Sequence, residues 1–204
     1  MSSSTPQSTR PASPTPQSPA PHGTIPQPTA ADQVETSTWR IDPDRSSVEF
    51  RSPGFWGLAT VKGRFSRYEG TLDLGREPAI ELAIDATSLD TRNGIRDAHL
   101  RSRDFFRVKE HPHVRFISDS ATLDGERLKV HGRLHAGAGS MPLEMDAELR
   151  PVGDELELDA RTHADHRMLG MTKNPLGMIR TPSELIVHGR LVADPSTASK
   201  GEPR

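Results

Sequence analysis

Nine histidines are the first residues in this 204-residue chain that could carry chemistry. They include His111-Pro-His113, His131 with His135, and His163-Ala-Asp165-His166. Neutral imidazole and carboxylate ligate zinc and related ions, and a bound ion can activate water. In a strand, residues i and i+4 share a face, so His131 and His135 could meet one ion. They lie among charged residues, however, and a ligand set needs three or four groups with outer support. His163, Asp165 and His166 form the better set. A second group is basic: Arg92, Arg96, Arg101 and Arg103 accompany His99, with Asp97 the only acid between 92 and 103. Guanidinium forks pair with phosphate, so these residues could read a charged headgroup. Alternatively they solvate their segment, or Arg96 and Asp97 pair to anchor it. No Ser/His/Asp order, phosphate loop or close acid pair stands out, and the absence of cysteine excludes thiol chemistry and disulfides.

The bulk composition narrows the partners. Lys and Arg total 26 against 28 Asp and Glu, a net charge of −2, which gives no basic excess for nucleic acid. The longest apolar runs are a few residues, too short for a transmembrane helix. Residues 1–36 hold eight of the 18 prolines, much Ser, Thr and Gln, and no aromatic residue. Such a segment buries too little apolar surface to offset its ordering entropy, so it is expected to be a disordered tail. Residues 195–204 read as a second, shorter tail. The N-terminus lacks a secretory apolar core, so a cytoplasmic location is expected, or a periplasmic one if the true start differs.

Between the tails, residues 37–194 read as one domain built from period-two alternation. Residues 127–136 set Leu128, Val130, Gly132, Leu134 and Ala136 against Arg127, Lys129, His131, Arg133 and His135. Residues 141–150 place Met141, Leu143, Met145, Ala147 and Leu149 on one face, and 155–161 place Leu156, Leu158 and Ala160. The last strand presents Leu185, Val187, Gly189, Leu191 and Ala193. One wet and one dry face, strand after strand, predicts an antiparallel sheet. Asp124-Gly125 and Pro151-Val152-Gly153 predict hairpin turns. About eight strands over this length predict an all-β, closed barrel, with one short helix in 92–106 across one end.

A threefold echo, Val61-Lys-Gly-Arg-Phe65, Val130-His-Gly-Arg-Leu134 and Val187-His-Gly-Arg-Leu191, puts a glycine on the apolar face each time. Such glycines either bend a barrel wall or leave room inside, and the two roles are compatible. With inward Ala136, Ala147, Ala160 and Ala193, the lining contains many small residues, so the interior is expected to hold an apolar ligand. Met141, Met145, Met171 and Met178 could adapt to a flexible chain or simply pack the core. Enlarging Gly132 to Phe is then expected to fill the space. All nine aromatics lie between Trp39 and Phe116, and Phe55-Trp56 occupy a Gly-rich loop suited to a barrel mouth or a closing cap.

Further residues point to a family. Ser88-Leu-Asp-Thr91, Arg96-Asp97-Ala-His99-Leu100, Asp104-Phe105-Phe106 and His111-Pro112 occur in one order. They are flanked by Trp39-Arg-Ile-Asp42-Pro43, Ser47-Val-Glu-Phe50, His113-Val-Arg-Phe116 and Gly132-Arg-Leu134 with Pro142. This set resembles the YceI-like family of lipocalin-like polyisoprenoid-binding proteins across about 39–193. The resemblance implies an eight-stranded antiparallel barrel around a tunnel for a polyprenyl lipid or an isoprenoid quinone. His135-Ala-Gly-Ala-Gly-Ser140 departs from the family's pattern, and a looser hairpin is expected there.

Together these readings predict a non-catalytic carrier without a prosthetic cofactor. Its ligand contacts are expected at Phe50, Phe55, Trp56, Val61, Phe65, Phe105, Phe106, Phe116, Val130, Leu134, Met141, Met145, Leu185 and Leu191. Arg92, Arg96, His99 and Arg101 are expected at a headgroup rim. A homodimer stays open, as do a His-cluster metalloenzyme and a ligand-free structural barrel.

Overall fold

Alternating burial along single strands organises the whole molecule. The computed structural model describes residues 38–54, 59–171 and 182–194. Both expected tails, the Phe55-Trp56 loop and Met178 lie outside these residues. Eleven strands follow in chain order: β1 (Thr38–Ile41), β2 (Ser47–Gly54), β3 (Ala59–Phe65), β4 (Tyr68–Asp73), β5 (Ala79–Asp85), β6 (Leu89–Asp90), β7 (His113–Asp124), β8 (Arg127–Ala136), β9 (Gly139–Val152), β10 (Glu155–Ala164) and β11 (Ser183–Ala193). One helix, α1 (Gly94–Arg101), lies between β6 and β7. No helix among the described residues is long and apolar enough to cross a membrane.

Eight strands close a ring in the order β1-β4-β5-β7-β8-β9-β10-β11, with β11 returning to β1. The remaining three extend the wall from β11 as β2-β3-β6. One edge of β11 therefore serves two partners, β2 over Glu184–His188 and β1 over Leu191–Ala193. The chain steps between them through a 3-10 turn at Pro43–Arg45, where Asp42 N–H donates to Arg190 O at 2.8 Å. Ser46 Oγ accepts from Arg190 N–H at 2.9 Å, which satisfies the ladder across this break.

β8 shows the patterning most cleanly: each residue from Leu128 to Ala136 of even number is buried and each of odd number exposed. Burying a Leu or Val in this way contributes about 1.5–3 kcal/mol per side chain. On the wet face, Arg150 pairs with Glu148 and Glu157 and with Asp159, Arg190 with Glu157, and His188 with Asp159. Exposed pairs of this kind contribute up to about 1 kcal/mol each and favour one cross-strand register.

The hairpins β7–β8, β8–β9 and β9–β10 all turn on two residues, beginning with Gly125, Gly137 and Gly153 at φ +61°, +56° and +69°. The 135–140 stretch is thus as tight as its neighbours, not looser, because Gly137 takes the left-handed conformation a two-residue turn requires. The second turn falls slightly later than its signal: Pro151 and Val152 still belong to β9. Ala193, on the apolar phase, is exposed because β11 ends there. The helix is shorter than the 92–106 expectation. Its Ser102 N–H turns back to His99 O at 3.0 Å, and residues 102–110 continue as turns.

Candidate functional site

Inside the wall lies an apolar cavity in which the centre of a water molecule could sweep about 150 Å³. Every strand except β6 contributes to its lining. Along β10, Leu158, Ala160, Thr162 and Ala164 all line it, so it extends for roughly 20 Å at 3.3 Å per residue. The cavity is thus elongated along β10. Glu49, Thr71 and Glu81 also border it, but they occupy the opposite strand phase from Phe50, Leu72 and Leu82.

The structure brings most of the expected ligand contacts to this space. Phe50, Phe65, Phe105, Phe106, Phe116, Leu134, Met145, Leu185 and Leu191 line the cavity. Val61, Val130 and Met141 are buried in the surrounding core without lining it. Phe55 and Trp56 lie outside the described residues. Aromatic rings form a connected group: Phe50–Phe65 at 6.1 Å, Phe65–Phe106 at 6.3 Å and Phe105–Phe106 at 5.3 Å.

The echo glycines behave differently from one another. A Cβ on Gly63 would fall 2.3 Å from the Phe50 ring, and one on Gly132 would fall 2.7 Å from the Phe116 ring and 2.5 Å from Ile117 O. At both positions a phenylalanine ring already covers the glycine, so the space is filled by the protein itself. Gly132→Phe would therefore collide with backbone as well as fill the interior. At Gly189 a Cβ would find only ordinary contacts, at 3.5 Å or more.

None of Arg92, Arg96, His99 and Arg101 lines the cavity. Arg92 is exposed at φ +60°, its N–H donating to Asp90 Oδ1 at 2.8 Å. Arg96 donates through Nε to Thr91 Oγ1 and through Nη2 to Thr91 O, both at 2.8 Å. Buried Asp97 accepts from Thr91 N–H at 3.0 Å and from the Thr91 hydroxyl. Arg96 and Asp97 thus anchor α1 by converging on Thr91 rather than by pairing with each other. Arg101 donates to Leu89 O, fastening the helix end to β6. His99 packs 6.5 Å from the Phe105 ring, with a buried Nε2 that has no hydrogen-bond partner.

Sequence reading stopped short on β10. Its inward parity continues past Ala160 through Thr162 to Ala164, where the strand ends, and the turn that follows adds His166; all of these line the cavity. His163 and Asp165 carry the opposite parity, which separates them from His166 and breaks up the candidate metal trio. Among the described residues, no group of three or more His, Asp or Glu is placed to hold a metal ion. His166 is 9% exposed, its ring 5.6 Å from Phe105, and its buried Nδ1 lacks a partner. Burial pushes this imidazole below its ordinary pKa; Asp165 opposes the shift and Arg167 adds to it. Thr162 and Ser183 join His166 at this end of the cavity, Thr162 donating to Glu144 O. The β10–β11 register sets Ala164 opposite Ser183 and Thr162 opposite Leu185. The far end, around Ile41, Leu72, Leu158 and Leu191, is apolar.

Comparison with known proteins agrees with this architecture. The model of the YceI-like domain family matches residues 39–191. Protein YceI of Escherichia coli O157:H7 is 30% identical over 132 residues, covering 62% of this chain and 69% of that protein. Among solved structures, Burkholderia cenocepacia BcnA superposes with a TM-score of 0.67 at 14% identity, covering 74% of this chain and 98% of that one. A polyisoprenoid binding domain from Saccharophagus degradans, implicated in plant cell wall breakdown, gives a TM-score of 0.60 at 15% identity, covering 76% of this chain and 98% of its own.

Proposed function

Because this chain belongs to the YceI-like domain family, we propose that it is a non-catalytic carrier holding a long apolar chain, such as a polyprenyl lipid or the tail of an isoprenoid quinone. The observation that carries this reading is the elongated apolar cavity running about 20 Å along β10 with walls from ten strands. The hydrocarbon-lined part of such a void favours apolar guests over water. The name of the Saccharophagus degradans domain adds support, at the level of ligand class. The phenylalanines at 50, 65, 106 and 116, with Leu134, Met145, Leu185 and Leu191, are the proposed chain contacts. Flexible Met145 and the mobile ends of Leu side chains can shift to admit a thicker chain.

Native mass spectrometry of freshly purified protein tests the proposal. A fraction of molecules should carry extra mass, and solvent extraction should release a lipid with an isoprenoid chain. Ala160, 2% exposed in the cavity wall, provides the control. Ala160→Phe should remove the extra mass while far-ultraviolet circular dichroism stays unchanged, at a stability cost of about 1–3 kcal/mol. Wild-type protein that stays free of lipid even when offered prenyl chains would favour a ligand-free structural barrel.

A further inference from the structure

Building on the carrier reading, we infer that the ligand's polar end is a neutral oxygen, hydroxyl or carbonyl, hydrogen-bonded by His166. The cavity is chemically lopsided. One end presents the inward side chains of Ile41, Leu72, Leu158 and Leu191, while the other brings Thr162, Ser183 and His166 together. Thr162 already spends its hydroxyl hydrogen on Glu144 O. His166 has a ring nitrogen, Nδ1, buried with no partner, in a residue 91% removed from solvent. A buried polar atom left unmatched costs about 1–3 kcal/mol, and a ligand oxygen is a partner that would remove this penalty. The Phe105 ring, 5.6 Å away and tilted by 32°, backs the imidazole and limits its movement.

Two observations point to a neutral rather than a phosphorylated group. Burial holds the imidazole uncharged at neutral pH, so it offers one hydrogen bond and no full positive charge. The guanidinium nearest in sequence, Arg167, is engaged by Asp165 at 2.8 Å on the exposed side. The two arginines of α1 bond Thr91 and Leu89, and neither lines the cavity. Among the described residues no lysine or arginine lines the cavity, so a dianion at this end would enter an apolar space without a counter-charge from them, which is strongly disfavoured.

Three probes with one farnesyl chain separate the possibilities: farnesol, the hydrocarbon farnesene, and farnesyl phosphate, each titrated against the full chain by calorimetry. Wild-type protein should bind farnesol most tightly. His166→Phe, which keeps a flat ring beside Phe105, should weaken farnesol about 3- to 10-fold and leave farnesene within about twofold. His166→Gln, which restores a hydrogen-bonding side chain, should recover part of the farnesol affinity. Equal losses for farnesol and farnesene, or no loss, would overturn the role of His166. Farnesyl phosphate binding more tightly than farnesol to wild-type protein would overturn the neutral headgroup. Failure of all three probes to bind wild-type protein would instead remove the carrier reading itself, before any variant is compared.

Discussion

Three glycines that look alike in sequence do unlike things in the barrel. Phe50 lies directly opposite Gly63 in the β2–β3 register and leans its ring over it. Gly132 is covered by Phe116 from a neighbouring strand and is hemmed in by Ile117 O. Gly189 faces Leu158 and Ile41 at ordinary contact distances. Gly63→Ala should therefore push the Phe50 ring toward the cavity and destabilise the protein by about 1–3 kcal/mol. Gly189→Ala should be neutral or stabilise by about 0.4–1 kcal/mol, because alanine fits and restricts the unfolded chain. Urea titration of the two variants checks this; matching destabilisation would mean that the echo reflects one shared backbone constraint. Which inward glycine is filled by a ring depends on cross-strand pairing, so spacing along the chain could not distinguish them.

At the scale of elements, the β8–β9 hairpin carries more than a turn. A Cβ on Gly139 would sit 2.3 Å from Leu169 O, so the backbone of 165–171 lies directly on this strand start. That segment supplies His166, Leu169 and Met171 to the cavity. Gly139→Ala should lift the segment, raise amide exchange at 166–171 and weaken prenyl-chain binding, with little effect on exchange in β8 or β10. Unchanged exchange would show that the contact is easily relieved. The family-atypical Gly-Ala-Gly run thus accommodates a neighbouring backbone, a role visible only once β9 and the 165–171 segment are packed together. The helix gives the complementary lesson. Its existence and basic composition were legible from residues 92–106, but the direction of each arginine was not. Thr91, which collects Arg96 and Asp97, precedes the helix and was legible only as a member of the Ser88–Thr91 run, not as an anchor.

At the scale of the molecule, acid is the direction in which this fold weakens. The His166 pKa is depressed by burial, so the folded state holds fewer protons than the unfolded chain between its folded value and about 6.5. Its contribution is present above about pH 6.5 and is lost as pH falls toward the folded value. Asp85, held below the ordinary carboxylate value first by Thr87 and also by Arg67, works in the same sense at lower pH, below about 4. Thermal melts from pH 7.5 to 5 should therefore show a steeper loss for wild-type protein than for His166→Phe, the curves converging in slope at higher pH. Parallel curves across this range would mean that His166 titrates alike in the folded and unfolded states.

The sequence alone determined the all-β class, the antiparallel pairing and the inward residues of β8, β9 and β10, because period-two alternation and glycine turns act over neighbouring residues. It also carried the family resemblance, through short runs in a fixed order. Tertiary structure decided what those runs enclose. Closing the ring through β1 while β2-β3-β6 extend from the same edge of β11 depends on pairings some 150 residues apart, which no local pattern encodes. Docking of α1 beside β6 turned its arginines onto Thr91 and Leu89, and the packing of the 165–171 segment buried His166 beside Phe105. A side chain's polarity is written in its residue type; whether water, protein or an empty cavity meets it is settled only when distant strands close around it.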